Sequence, residues 1–276
     1  MTSVNNPLRQ YFRRPALYLR LPSDGKLYRP GVINMPANGE LPVYPMTAID
    51  EITSRTPDAL FNGVAMSQLI KSCVPDIIDP WSINSVDFDA ILIAIKAASG
   101  GNDMEIESQC ESCGEIASYN VNLTGILAQL KSGDYDKELQ INELSVKYRP
   151  LNYKEMNEAG LAQFEIQKAF VNLDSIEDEE QRKLQTQKAL SSVTDLTMRV
   201  LMNTIEYIRT PESTVENKEF ILDFLKNCDK NVYTTIRDYN AKLKENTEIR
   251  PLKIKCIHCN HQYDQPFTLN TADFFA

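Results

Sequence analysis

Short β-prone runs separated by turns make up the start of the chain. The runs ALYLRLP, LYRPGVI and LPVYPM lie within residues 15–46, and the turn sequence SDGK at residues 23–26 separates the first two. An Asp-Gly pair flanked by leucines and tyrosines is typical of a β-hairpin. The pattern therefore predicts an N-terminal arm and β-hairpin region over residues 1–46.

From Thr47 the apolar residues recur at helical spacing. Thr47 can cap AIDEITSR, and Pro57-Asp58 can open a longer helix whose apolar residues spread over more than one face. Ser85 is placed to cap VDFDAILIAIKAAS, which a Gly-Gly pair ends. Wide apolar surfaces indicate buried helices. The sequence thus predicts a helical lobe over residues 47–101.

The segment 125–249 also has mainly helical patterning. A short helix is expected near Gly125–Lys131, followed by a possible strand pair, ELQIN and SVKYRP. One long helix of the later part is expected to include Ile205 and Ile208 and to end at the Thr-Pro pair that follows. Its acidic run needs no ligand, since acidic residues suit a helix N-terminus.

Two C-x-x-C pairs carry the most specific chemical signal. Cys110 and Cys113 lie in DMEIESQCESCGEIASYNVNL, and Cys256 and Cys259 lie in LKIKCIHCNHQYDQPFTL. Each pair has β-prone segments on both sides of a tight turn, so each resembles a zinc knuckle. Two knuckles facing each other would supply four thiolates to one tetrahedral metal ion. The sequence therefore predicts one structural zinc per chain.

The distance between the knuckles is unusual. The first knuckle occupies residues 102–124 and the second lies in residues 250–276, and 142 residues separate Cys113 from Cys256. This spacing predicts a zinc-ribbon-like module split by a large helical insertion at 125–249. The expected fold class is α+β, mostly helical with short β-hairpins.

Other interpretations of these residues stay open. Iron also accepts four thiolates, and the pairs could be unrelated reduced cysteines or, less consistently with their flanks, redox pairs. His261 could replace one cysteine, whereas His258 lies inside the second knuckle. Cys73 and Cys228, near predicted helix ends, are typical of buried, inert thiols.

Composition narrows the function classes. The net charge of −9 over 276 residues disfavours nucleic acid and anionic membranes as partners. There is no apolar run of the roughly 20 residues that span a bilayer, and no signal-peptide pattern, which indicates a cytosolic protein. Nucleotide-binding glycine loops and catalytic Ser-His or Cys-His arrangements are not evident, and nothing distinguishes Asp87 and Asp89 from surface acids. Four thiolates leave no open position on zinc, which disfavours hydrolysis.

Both chain ends carry residues typical of protein contacts. The N-terminal arm is basic and aromatic, and the C-terminal sequence TADFFA includes Phe274 and Phe275. Such residues are enriched at interface hot spots, although they can equally pack on their own chain. The residues concerned in the arm are Arg9, Tyr11, Phe12, Arg13 and Arg14.

The stretch LPVYPMTAIDEITSRTPDALFNGVAMSQLIKSCVPDIIDPWSINSVDFDAILIAIKAAS, followed by CESCG and a late C-x-x-C, resembles baseplate hub and hub-assembly proteins of T-even-like contractile-tailed bacteriophages. The resemblance covers about residues 15–125 and the final knuckle. It implies a non-enzymatic baseplate component or assembly factor, with no catalytic residue to carry over.

Three hypotheses follow. The first is a structural or assembly protein of a phage tail baseplate, whose partners are other hub or tail proteins. It would act in the host cell cytoplasm during assembly and could enter the virion. The second is a nucleic-acid-binding zinc ribbon, and the third a metalloenzyme with an exchangeable ligand. Membrane and small-molecule partners are not expected.

Overall fold

A computed structural model describes residues 6–54, 63–173, 178–245, 247 and 249–267. Helix predominates over strand, and every strand pairs antiparallel within a two- or four-stranded sheet. The predicted class, mostly helical α+β with small antiparallel sheets, is confirmed at this level. None of the described helices is both long and apolar enough to cross a membrane.

The described helices are α1 Ala48–Ser54, α2 Val64–Cys73, α3 Ser85–Gly100, α4 Leu123–Leu127, α5 Tyr153–Leu173, α6 Glu179–Thr204, α7 Lys218–Asn227 and α8 Lys230–Glu245. The strands are β1 Leu17–Leu19, β2 Leu41–Val43, β3 Asp103–Gln109, β4 Ile116–Asn122, β5 Glu138–Ile141, β6 Leu144–Tyr148, β7 Ile205–Arg209, β8 Thr214–Val215, β9 Leu252–Lys255 and β10 Gln262–Gln265. Short 3₁₀ turns occupy Pro7–Tyr11 and Pro80–Ser82.

The first hydrophobic core surrounds α3. Four consecutive positions of this helix, Ile91 to Ala94, are fully buried, so apolar residues cover its whole circumference. A helix that is apolar all round must be enclosed, as the sequence predicts. Its neighbours in the core are residues of α2, β1, β2 and α4, together with Phe267 near the end of the described chain.

The second core lies under the four-stranded sheet, in the order β5-β6-β7-β8. The predicted strand pair is confirmed as β5 and β6. The helix predicted through Ile205 and Ile208 is wrong, because α6 ends at Thr204 and both isoleucines are buried in β7. The sequence IEYIR contains β-branched and aromatic residues, which favour a strand, and its pairing with β6 buries Ile208 opposite Val146.

The N-terminal hairpin is predicted with the wrong partner. Asp24 and Gly25 do form a turn, with φ of 52° and 72°, but β1 pairs with β2 rather than with LYRPGVI. The reason lies in α3, where the fully buried Asp87 accepts hydrogen bonds from the Ser23 amide (2.9 Å), the Ser23 hydroxyl and the Tyr28 hydroxyl (2.8 Å). This carboxylate holds the turn and the following segment against the helix.

Helix starts are predicted with mixed accuracy. Thr47 caps α1 as expected, because its hydroxyl accepts from the Asp50 amide (3.2 Å) while Asp50 accepts from the Thr47 amide (2.8 Å). For α3 the cap is Asn84 and not Ser85, since Asn84 Oδ1 accepts from the Asp87 amide (3.2 Å). Pro57-Asp58 lie outside the described residues.

The helix expected near Gly125–Lys131 begins earlier than predicted. The Asn122 side chain caps it by accepting from the Gly125 amide (2.7 Å), so α4 spans Leu123–Leu127. A capping Asn at the end of β4 explains the shift, because the chain passes from strand to helix without a loop.

Arg13 of the N-terminal arm packs on its own chain. Its guanidinium donates to the carbonyls of Pro45 (2.6 Å) and Ser72 (2.8 Å) and lies 3.3 Å from the Asp50 carboxylate. For this arginine, packing on its own chain is therefore the observed alternative, whereas Tyr11 of the same arm is exposed.

The two isolated cysteines differ in burial. Cys73 is fully buried, and desolvation raises its pKa to about 12, which agrees with an inert thiol. Cys228 is only half-buried. Its predicted burial is only partly confirmed, because α7 ends there, at the edge of the second core.

The substitutions Asp87→Asn and Asp89→Asn, two residues apart on α3, are expected to have opposite effects. Burial raises the pKa of Asp87, but an amide at position 87 cannot accept from all three donors, and this loss should lower the free energy of unfolding by about 1–3 kcal/mol. Burial raises the pKa of Asp89 from 3.8 to about 6, so the folded state loses stability as the pH rises through this interval. Asp89→Asn should therefore stabilise the protein at pH 7, by about 1–3 kcal/mol.

Urea unfolding at pH 4 and pH 7 measures both effects. The stabilisation by Asp89→Asn should shrink at pH 4, where the folded protein already holds that proton. Asp136→Ala, at an exposed position, serves as the neutral control. Equal destabilisation by both α3 substitutions would contradict the two distinct roles.

Candidate metal centre

The four predicted cysteines lie at the tips of two antiparallel hairpins. In the first, β3 and β4 pair from Asp103 with Asn122 to Gln109 with Ile116. In the second, β9 and β10 pair from Leu252 with Gln265 to Lys255 with Gln262. Each C-x-x-C sequence begins immediately after the first strand of its hairpin.

The two tip turns have the same backbone hydrogen bonds. In each, the amide of the first cysteine donates to the carbonyl five residues later, and its own carbonyl accepts from the amide four residues later. The bonds are Cys110 N to Glu115 O (2.9 Å), Gly114 N to Cys110 O (2.8 Å), Cys256 N to His261 O (2.8 Å) and Asn260 N to Cys256 O (3.0 Å).

The residue after the second cysteine adopts a left-handed conformation in both turns. Gly114 has φ of 75° and Asn260 has φ of 61°. Glycine and asparagine are the residues that tolerate this region most readily. The two knuckles are thus structural equivalents, and the Gly and Asn following CESC and CIHC are the sequence signal for it.

The hairpins bring all four sulfur atoms together. Cys110 Sγ lies 3.7 Å from Cys259 Sγ, Cys113 Sγ lies 3.7 Å from Cys256 Sγ, and all four lie within 4.8 Å of one another. A regular tetrahedron with Zn–S bonds of about 2.3 Å requires sulfur–sulfur distances of about 3.8 Å. A disulfide would require about 2.05 Å. The spacing therefore fits a four-thiolate metal site and not a pair of disulfides.

Backbone amides that donate hydrogen bonds to these sulfurs favour the charged thiolate form. The amides of Cys259 and His258 donate to the Cys256 sulfur and lower its pKa to about 6. At Cys113 the Glu115 amide acts in the same direction, but desolvation and the neighbouring thiols prevail and raise the pKa to about 12. Thiolates this close together repel one another, so a cation among them would favour the deprotonated form of the cluster.

The two histidines lie outside this cluster. His261 contributes its backbone carbonyl to the second knuckle, and its ring stacks on Tyr263 with centroids 6.3 Å apart. His258 is exposed. Among the described residues, the four cysteines form the group of His, Cys, Asp or Glu side chains whose spacing suits a metal ion.

Contacts below the sulfurs also join the hairpins, and they are not among the predicted ones. The Ser108 hydroxyl of β3 donates to Gln265 Oε1 (2.6 Å) and lies 2.8 Å from the Tyr263 hydroxyl of β10. Ile254, Tyr263 and the two inner cysteines form a small apolar cluster above this contact. Strand alternation, which turns Ser108 and Tyr263 inward, is the signal that could have identified them.

Comparison with known proteins places the chain in a family. A family profile described as T4 bacteriophage base plate protein matches residues 35–276. The chain belongs to this family. The match includes both hairpins and the segment between them, and it confirms the resemblance to T4-like phage baseplate proteins. Searches of curated proteins and of solved structures gave no match.

Membership of the baseplate family indicates the general role of the protein. The chain is a structural phage baseplate protein, associated with the virion tail and with other baseplate or tail proteins.

Ser108→Ala should weaken the contact between the hairpins. The substitution removes a hydroxyl that bonds two β10 side chains, and the expected cost is about 1–2 kcal/mol of unfolding free energy. Thermal and urea unfolding would measure it. Ser118→Ala, on the exposed face of β4, is the matched control and should change stability by less than about 0.5 kcal/mol. Equal stability of the two variants would show that the Ser108 contact contributes little.

Proposed function

We propose that this baseplate protein is a non-enzymatic component or assembly factor of the central hub, rigidified by one structural zinc ion. Cys110, Cys113, Cys256 and Cys259 would hold the ion. The observation that supports the proposal is the approach of four sulfurs to the spacing of a tetrahedral thiolate site.

The donor set determines what such a metal can do. Thiolates are soft ligands that favour zinc or iron over magnesium and calcium. A bound zinc ion with four protein thiolates supplies a cross-link and has no position left for a substrate or water. The chain's own contribution is to orient the sulfurs through two equivalent knuckles. A structural role therefore agrees better with this site than catalysis does.

The cross-link would join segments that are far apart in sequence. The base of the first hairpin packs in the first core through Val121, and Phe267, which follows the second hairpin, is part of the same core. Zinc at the hairpin tips would close the insertion 125–249 end to end, giving a split zinc-ribbon-like module. Structural zinc contributes about 10–16 kcal/mol in finger peptides.

Rigidity has a direct use in assembly. A hub component that presents preformed surfaces loses less conformational entropy when it docks on its neighbours. We propose that the protein acts this way in the host cell cytoplasm while the baseplate forms, and that its partners are other hub or tail proteins.

A nucleic-acid-binding zinc ribbon is the second candidate, favoured by the hairpin arrangement alone. The charges oppose it, because outward residues of β3 are acidic and the basic ones on the second hairpin are few. If the protein bound nucleic acid, its affinity for DNA or RNA would fall steeply as the salt concentration rises. Fluorescence anisotropy with labelled single- and double-stranded oligonucleotides should detect no such binding.

Cys110→Ser is expected to lose the metal and much of the stability together. A hydroxyl is a poor zinc ligand, and the remaining three thiolates would leave the cross-link incomplete. Elemental analysis should find one zinc per chain in the wild-type protein and a large loss in the variant, with a melting temperature lower by about 10 °C or more.

The matched control is Cys228→Ser, which changes a thiol outside the cluster and should keep its zinc. In the phage, a gene carrying Cys110→Ser should fail to support baseplate assembly, whereas Cys228→Ser should support it. A Cys110→Ser protein with unchanged metal content and melting temperature would refute the zinc cross-link. Iron in place of zinc would correct the metal and keep the structural role.

A further inference from the structure

The two hairpins of the metal centre expose faces of opposite charge. On β3, the outward side chains of Asp103, Glu105 and Glu107 are exposed. Met104, which lies between the first two, and Ser108, which follows the third, turn inward. We call this row the acidic face. On β9, Lys253 and Lys255 are exposed on either side of the buried Ile254.

The basic side extends beyond these two lysines. Arg250 lines the same groove as Lys253, and Asp264 is the one acidic residue of that groove. We call Arg250, Lys253 and Lys255 the basic face. The faces point away from each other, because the inner sides of the hairpins meet through the thiols and through Ser108 and Tyr263.

Neither face forms an ion pair within the described part of the chain, although Asp264 of β10 lies directly opposite Lys253 in the register of the second hairpin. No ion pair within 4.0 Å is found there for Glu105, Glu107, Lys253 or Lys255. The β4 residues opposite the acidic row are Ser118, Asn120 and Asn122, which carry no positive charge. Like charges two residues apart on a strand are about 7 Å apart, within the Debye length, so each row repels itself.

The two rows also match in geometry. Glu107 lies three residues before Cys110, and Lys253 lies three residues before Cys256, so the equivalent knuckles carry opposite charges at the same position. Lys253 and Lys255 lie two residues apart on an extended strand, as Glu105 and Glu107 do, so these two pairs have the same spacing. A lysine row could lie along a carboxylate row with its charges in register.

We propose that the acidic face of one copy of this chain binds the basic face of a second copy. Because the two faces lie on opposite sides of the hairpin pair, the contact is head-to-tail, and repetition gives a ring or an open filament. An exposed isoleucine adds apolar area on each hairpin, Ile116 beside the acidic face and Ile257 in the second knuckle. This association goes beyond the proposed hub role and does not depend on which metal is bound.

The test is sedimentation velocity on the metal-loaded, full-length protein. The wild type should associate at about 50 mM salt and return to monomer near 0.5 M, because exposed ion pairs are screened. Glu105→Lys/Glu107→Lys and Lys253→Glu/Lys255→Glu should each abolish association. An equimolar mixture of these two variants should restore it, since each then offers the complement that the other lacks.

Glu165→Lys/Glu212→Lys, at exposed positions away from the hairpins, is the control that matches the net-charge change of Glu105→Lys/Glu107→Lys, and it should associate like the wild type. A wild-type protein that stays monomeric at low salt, or a mixture no more associated than its components, would overturn the proposal. Should one charge variant fail to fold, the salt titration of the wild type still decides. Metal content, measured separately, tests the zinc role independently.

Discussion

The structure depends on one constraint: two hairpin tips separated by 142 residues of sequence must meet closely enough for four sulfurs to touch. Everything between them, including the four-stranded sheet and the long helices, has to begin and end at the same place. A long closed loop costs chain entropy, although the cost grows only with the logarithm of its length. The contacts that maintain the closure are few, namely the thiol cluster, a small apolar cluster and the Ser108 hydrogen bonds.

Closure at the tips is supported by closure at the base. The first core receives side chains from both hairpin segments, so α3 and its neighbours already hold the two ends of the insertion together. The metal would then bind where the two hairpin tips already lie close together, and it would not have to bring distant parts of a flexible chain together. Because the first core already holds the two ends of the insertion together, the two geometrically equivalent knuckles can meet although they are far apart in sequence.

The local chemistry of the metal centre could be predicted from the sequence, whereas the tertiary contacts that position it could not. Cysteine spacing and β-prone flanks identify the two knuckles, because the turn geometry is encoded within six residues of each. The β1–β2 pairing was missed because it depends on Asp87, a carboxylate 64 residues beyond the turn that it holds. Likewise, IEYIR follows a helical pattern so closely that only the presence of β6 beside it decides for strand, which is a tertiary effect.

The same limit applies to charge. A net charge of −9 is a property of the composition, and from it the protein is expected to avoid anionic partners. In the structure, positive and negative charges are distributed unevenly, with acidic and basic rows on opposite sides of one small module. Whether such a protein repels or attracts its own copies depends on those rows more than on the total, because at physiological salt charges act over only about 8 Å.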